Sequence, residues 1–593
     1  MRFENVKDFV QKHRALLVAL VFALLVALAP ALEAWMFIGE DWRGIPQAYG
    51  DEFLYYAQAH AVAEGHWGFG NPYLLEHAGD MPLVIFGGTW LSSLPLLFHI
   101  PLMTSATLDY ILWGIIFVVL FYWLLRELRA PKWLSAAGAL FAFIQTCGLI
   151  FRMSSRQTVY PFFLLFYIVL ARFLKNPNKA NTFFLGLAAG ATFWVFSYLW
   201  QTVVITLGLL ALYALLRRQW PLLRATLIAS SIGGGIGLPT LLYTLWISHT
   251  NPAFWESIAR FGLVATHLPE AEVIYSGGWI GAALALLGIL YWRIEALRRD
   301  VYFRSIGFFI VLGGLGLWIM QGSNLITGQL LETSVHMRPF IGTWLVWAGI
   351  GAALPVWRHR AEITKGMRLL CIAGFAVLMF GASNFMYTHL KGFLFDIAPA
   401  FWKTQQLYAA PYAWLNAHES QPVVVWGSPN DFSTEELPIF TRHFVLYAGP
   451  TIFHLVSNAE IRERYLVASY FNNPTVQDLK DDIGTYLGRQ DVYHHAKTIE
   501  RGIKICRIVY FWDKNKDCGI PPTSAELMGE KFFNDLERQF QTDIKPNIQA
   551  YLQKYHVSYI LKDIVLDPQY HPEKLGAVRV YSDGRFELYR LKD

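Results

Sequence analysis

Between Gly39 and Met81 the chain carries seven carboxylates, Glu40, Asp41, Asp51, Glu52, Glu64, Glu76 and Asp80, against a single cation, Arg43. His60, His66 and His77 lie among them. Carboxylates and imidazoles take and give protons when their neighbours tune them, so acid–base chemistry would reside in this stretch. Phe53, Tyr56, Ala57, His60 and Ala61 recur at i, i+3, i+4, i+7 and i+8, which predicts a short amphipathic helix from about Glu52 to Glu64. Asp51 then falls at the N-terminal end, where the helix dipole attracts a carboxylate. A carboxylate fixed in this way suits a general base acting on a hydroxyl or amide. The same spacing equally suits a helix cap with a solvated acidic face, and composition does not decide between the two.

The elements that must hold this stretch are apolar. Of 593 residues, 54% are hydrophobic and 16% charged, against roughly 25% charged in a soluble protein. The mean hydropathy is +0.33, which excludes a soluble single domain and equally a disordered chain. A spanning helix needs roughly 20 mostly apolar residues, and eleven such runs are present: 15–38, 104–125, 133–151, 157–171, 182–197, 199–216, 222–246, 278–292, 305–320, 339–357 and 367–388. The first is too long for a cleaved signal and reads as a retained anchor.

With the N-terminus in the cytoplasm, the connections on that side carry twenty-one Lys and Arg residues. The opposite side carries only Arg43, Arg152, Arg156, Arg260 and Arg338, an asymmetry that sets the orientation by the positive-inside rule. The stretch 82–100, interrupted by Gly87, Gly88 and Pro95, is read as an interfacial helix, because a span there would invert every later loop and destroy the asymmetry.

After about residue 390 no apolar run reaches spanning length, and charged residues of both signs intersperse. The sequence therefore predicts a polytopic α-helical membrane protein of about eleven spans with a C-terminal soluble, extracytoplasmic α/β domain. Within that domain it predicts a connecting helix over Phe401–Asn416, strands at Val423–Trp426 and Phe444–Tyr447, and a helix over Ala459–Phe471. It also predicts a capping box from Thr523 to Glu526 and a terminal hairpin turning at Asp583-Gly584. Lys504 to Trp512 (KICRIVYFW) reads as a strand carrying Cys506, with Cys518 in the loop beyond. In an oxidising compartment these two cysteines either close a disulfide or remain free thiols. Cys147 and Cys371 fall in spans as packing residues.

The stretches GDEFLYYAQA and GNPYLLEH follow directly on the first span. With the order of spans and the trailing α/β domain, they resemble the GT-C superfamily of integral-membrane glycosyltransferases. The resemblance implies a GT-C-like transmembrane catalytic domain over 1–390, with a catalytic outer loop at 39–81, and an extracytoplasmic domain over 391–593. It implies a multi-pass protein of a bacterial inner or archaeal plasma membrane whose partners are membrane lipids, a polyprenyl-phosphate-linked sugar donor and a glycan, lipid or protein acceptor, with no nucleic acid. Asp51 matches the family's catalytic acid, with Glu52 beside it.

One departure from the family is visible. The WWDYG motif of oligosaccharyltransferase catalytic subunits is absent, since Trp402 precedes Lys403 and Trp512 precedes Asp513. That points away from transfer of a preassembled oligosaccharide to Asn and toward one sugar from a lipid monophosphate.

A departing lipid phosphate needs cations to stabilise its growing charge. The candidates are Arg152 and Arg156, in FRMSSRQTVYP, and Arg338; snorkelling to head groups is the alternative for each. Tyr55, Glu76, His77 and His336 are candidate substrate contacts. Glu270 or Glu272 would join Asp51 if a divalent cation, Mg or Mn, is bound, as in some members of the superfamily. A multi-span transporter or lipid-linked-sugar flippase is the rival of another class, though such proteins are often built from repeated halves, and no repeat is visible here.

Overall fold

The structure is a computed structural model and describes residues 3–44, 51–68, 70–85, 87–150, 152, 156–268, 270–331, 333–385, 399–429, 433–488, 490–513 and 515–592. Nine helices among the described residues are long and apolar enough to cross a membrane: Asp8–Asp41, Leu102–Glu127, Gln157–Lys175, Ser197–Leu216, Trp220–Thr250, Val273–Arg293, Val301–Thr327, His336–Arg358 and Lys365–Phe385. Two further helices, Lys132–Ile150 and Lys179–Val195, stand at the other two expected positions. Among the described residues each of the eleven expected runs thus coincides with a helix, and nine of these helices have the full length and apolarity of a crossing. The 82–100 stretch holds a helix of 11 residues, Gly87–Leu97. At about 1.5 Å per residue it is roughly 16 Å long, about half the hydrocarbon thickness.

Small side chains let the helices approach. Ala15, Ala19, Ala23 and Ala27 repeat every fourth residue on the first helix and are all buried, where that helix packs against Leu102–Glu127 and Lys132–Ile150. Lys179–Val195 and Trp220–Thr250 meet through glycines. A Cβ at Gly186, Gly190 or Gly237 would come within 2.7 Å of Ile232, 2.6 Å of Ile236 and 2.4 Å of Phe193 respectively. Close backbone approach of this kind is how helices associate in lipid, where burial of apolar surface gives no net drive.

The C-terminal region forms a five-stranded mixed sheet in the order Phe444–Val445, Val424–Trp426, Val557–Asp563, Phe586–Arg590, Val578–Ser582. The first two pairs are parallel and the others antiparallel. The expected connecting helix breaks into Pro399–Leu407 and Ala409–His418. The Thr523–Glu526 capping box forms with both reciprocal bonds, and the terminal hairpin turns through Gly584 at φ +93°. Buried apolar residues run without a break from the bundle into this sheet. The expected boundary between residues 390 and 391 lies outside the described residues.

One expectation is corrected. Lys504 to Trp512 is no strand: it is the end of the helix Gln490–Val509 and the turn after it. Cys506 and Cys518 are joined as a disulfide, their Cα atoms 5.7 Å apart.

Candidate active site

The Asp51–Ala63 helix lies where the bundle and the C-terminal region meet. Phe53, Leu54, Tyr56, Ala57, Ala59 and Val62 are buried, more than one face requires, because the helix is held between Gly87–Leu97 and Ser433–Phe440. Its first turn stays at the edge, with the Asp51 side chain 54% and the Glu52 side chain 27% exposed. Arg152, from the connection between Lys132–Ile150 and Arg156–Lys175, reaches both. Its Nη2 donates to Asp51 Oδ2 at 2.7 Å and its Nε donates to Glu52 Oε1 at 3.1 Å. The guanidinium also lies 5.3 Å over the Tyr55 ring. One planar cation thus bridges two adjacent carboxylates, which an ammonium could not do with the same geometry. Burial pushes the Glu52 carboxyl up from its ordinary range, and Arg152 draws it partly back.

Beneath this turn the hydroxyls of Tyr56 and Tyr110 are 2.9 Å apart. Asp109, adjacent in the Leu102–Glu127 span, is 1% exposed. The sequence reading passed over Asp109, yet an acid inside an apolar run is itself a signal of function.

Arg156 opens the helix Arg156–Lys175, and Arg338 lies in the second turn of Thr333–Arg358. Gln157, one residue past Arg156, donates to Ser92 Oγ at 2.8 Å. Tyr160 packs on Phe340 at 5.0 Å, two residues past Arg338. Arg338 lies over the Phe385 ring at 5.9 Å, and His336 stacks on Tyr198 at 4.8 Å. The side chains of Arg156 and Glu272 lie outside the described residues, and Glu270 precedes the first turn of Ala271–Arg293. Among the described residues no group of three or more His, Cys, Asp or Glu side chains converges as a cation site. With a guanidinium already forked between them, Asp51 and Glu52 do not fit a divalent ion as they stand.

Glu76 and His77 face the C-terminal region. Arg464, 1% exposed, donates to Glu76 at 2.7 Å, to Glu460 at 2.8 Å and to the Leu446 carbonyl at 3.2 Å. His77 bridges Asp80 at 2.5 Å and Glu460 at 3.1 Å. Between Asn71 and His77 the loop also meets the sheet directly, since Val445 N–H donates to the Tyr73 carbonyl at 2.8 Å at the edge strand. A cavity of about 250 Å³ lies alongside, lined by His60, Glu64, His66, Asn71, Arg442 and His443. His60 is nine residues along the helix from Asp51, roughly 13 Å away, so this cavity is not where the acidic pair would act.

The clamp predicts a pH dependence. Burial disfavours charge on His77, but its bonds to Asp80 and Glu460 outweigh burial and raise its pKa from 6.5 to about 9. Burial likewise opposes charge on Glu460, yet His77 and Arg464 lower its pKa from 4.5 to about 2. The His77 contribution is complete below pH 6.5 and is lost as pH rises through 9; that of Glu460 is complete above 4.5 and is lost as pH falls through 2. Thermal unfolding followed against pH is expected to show a loss of stability of about 3 kcal/mol between the two His77 values. That loss should vanish in His77→Gln; an unchanged slope in the variant would assign it elsewhere.

Arg260, noted in sequence only as a cation on the disfavoured side, is a buried plug. From the Phe254–Arg260 helix its Nε donates to the Ile452 carbonyl at 2.8 Å. Its Nη2 donates to the His454 and Val456 carbonyls at 3.0 and 2.7 Å, and Nη1 reaches Asn458. Burial lowers its pKa to about 10. Burial, then the charges of Arg260 and His77, push neighbouring His454 down to about 3, so that ring is neutral.

No family model and no curated protein sequence matches the chain. Among solved structures it is similar to the archaeal oligosaccharyltransferase AglB from Archaeoglobus fulgidus, in complex with an inhibitory peptide and a dolichol-phosphate. The likeness is at 12% identity and a TM-score of 0.40, over 98% of this chain and 75% of that one. A likeness at that level assigns no activity to this chain.

Proposed function

We propose that the protein is an inverting glycosyltransferase of the GT-C type, which takes one sugar from a polyprenyl-phosphate donor on the non-cytoplasmic side of the membrane. The observation that carries this reading is the Asp51–Glu52 pair, set on a helix terminus at the end of the bundle and bridged by Arg152. In this reading Asp51, held by Arg152 and flanked by Glu52, takes the proton of an acceptor hydroxyl or amide. The acceptor atom forms its bond to the anomeric carbon from the side opposite the phosphate. The bond from that carbon to the phosphate oxygen breaks, and its electron pair leaves with the polyprenyl phosphate.

Two of the five donors of Arg152 serve the carboxylates. Its remaining donors, with Arg156 and Arg338, would meet the departing phosphate. The charge asymmetry of the loops supports placing this end of the bundle, and the C-terminal region upon it, outside the cytoplasm. The apolar spans supply the surface on which an isoprenoid chain would lie.

The test is a transfer assay with purified protein, synthetic polyprenyl-phosphate-linked monosaccharides and a panel of glycan, lipid and peptide acceptors, reading release of the free lipid phosphate. Turnover is expected, and it should persist in chelator because Arg152 already occupies the carboxylate pair. Loss in chelator with recovery in Mg or Mn would place a metal at Asp51. Movement of the donor across proteoliposomes without any product would favour a flippase instead.

A further inference from the structure

The last turns of the helix Gln490–Val509 expose what a water-facing domain would bury. Ile505, Ile508 and Val509 share one face at i, i+3 and i+4, and are 58%, 62% and 47% exposed. Ile503, on the opposite side, is buried and fixes which face meets the protein. The turn that follows presents Tyr510, Phe511 and Trp512, the last two 76% and 67% exposed, and Ile520, two residues past the Cys506–Cys518 disulfide, is 88% exposed. A contiguous exposed apolar surface of this kind marks an interaction site.

Its charge identifies the partner. Arg507 and Lys516 flank the patch, with Lys504 paired to Glu500 at 2.7 Å, against two further acids, Asp513 and Asp517. These two are tied up locally as acceptors for the N–H groups of Asn515 and Gly519. Lys516 lies 5.1 Å over the Tyr510 ring. Apolar residues on one helix face, a Tyr-Phe-Trp tip and a basic margin are the makeup of a segment lying in a membrane interface.

Past its midpoint the helix also touches the connection that leads into a span. Arg501 donates to Thr266 Oγ1 at 3.1 Å, seven residues before the Val273–Arg293 span begins. We infer that the disulfide-closed segment 505–520 inserts its apolar face into the lipid leaflet on which the C-terminal region sits. There it is a second attachment of that region to the membrane, independent of the spans and of the reaction proposed above.

The test uses the full-length protein in nanodiscs of phosphatidylcholine and phosphatidylglycerol. A spin label at Phe511→Cys is compared with one at Gln477→Cys for collision with lipid-soluble oxygen and with a water-soluble nickel chelate. The oxygen-to-nickel ratio is expected to be several-fold higher at position 511. Equal ratios would overturn the inference, and so would loss of both collisions at 511, which would mean burial against protein. Because a cysteine placed between Cys506 and Cys518 can re-pair, the unsubstituted protein is also irradiated in discs whose phospholipid carries a diazirine on its acyl chain. Adducts on residues 505–520 are expected; adducts confined to the spanning helices would contradict the insertion.

Discussion

Asp51→Asn is expected to lower sugar transfer by about 10³-fold or more, the range that follows loss of a general base, while leaving the protein folded. Asn serves a helix N-terminus about as well as Asp. The exposed ion pair with Arg152 contributes at most about 1 kcal/mol, so stability changes little. The substitution therefore separates the two meanings of a carboxylate at this position: a cap survives it and a base does not. Steady-state transfer and thermal unfolding measured on the same preparation check the prediction. Near-normal turnover would remove Asp51 from the mechanism.

Arg260→Met is expected to have the largest effect on stability. The side chain is 1% exposed and serves three backbone carbonyls and Asn458. An apolar replacement fills the space but leaves the Ile452 and Val456 carbonyls buried without the Arg260 donor, at about 1–3 kcal/mol each, while the His454 carbonyl keeps Ser257 Oγ and the Val456 N–H. A loss of roughly 3–5 kcal/mol is expected, with residues 449–458 becoming sensitive to limited proteolysis as they detach from the Phe254–Arg260 helix. Arg260→Lys should recover only part of the loss, because a single ammonium cannot span carbonyls fixed for a planar fork. A thermal midpoint unchanged in Arg260→Met would show that the contact does not hold the two regions together.

What could be read from the sequence follows the range of the interactions. The helix carrying Asp51 was legible because its cues lie within a dozen residues, and the long apolar runs were legible because lipid demands length and composition. The disulfide partners were visible, but the segment between them was misread. The β-branched and aromatic run IVYFW has the composition of a buried strand, and only the structure shows a helix whose apolar face points outward.

The couplings of the first loop were not legible at all. Arg260 reaches residues 452–458, and Glu76 reaches Arg464, across separations of 192 and 388 residues, which no local pattern encodes. They explain why Glu76 and His77, grouped in sequence with possible substrate contacts, are found joining the loop to the C-terminal region. Arg152 was expected at a phosphate and is found bridging the acidic pair, a role that spacing could not reveal because its partners lie a hundred residues earlier.

The most direct measurement is a cryo-electron microscopy structure of the protein in nanodiscs with a non-hydrolysable polyprenyl-phosphate sugar analogue. The account predicts density for the phosphate within hydrogen-bond reach of Arg152 and for the sugar against Asp51, with the isoprenoid chain running down the bundle from that end. A phosphate bound at the other end of the bundle, or a donor whose sugar never approaches the Asp51 carboxylate, would contradict it.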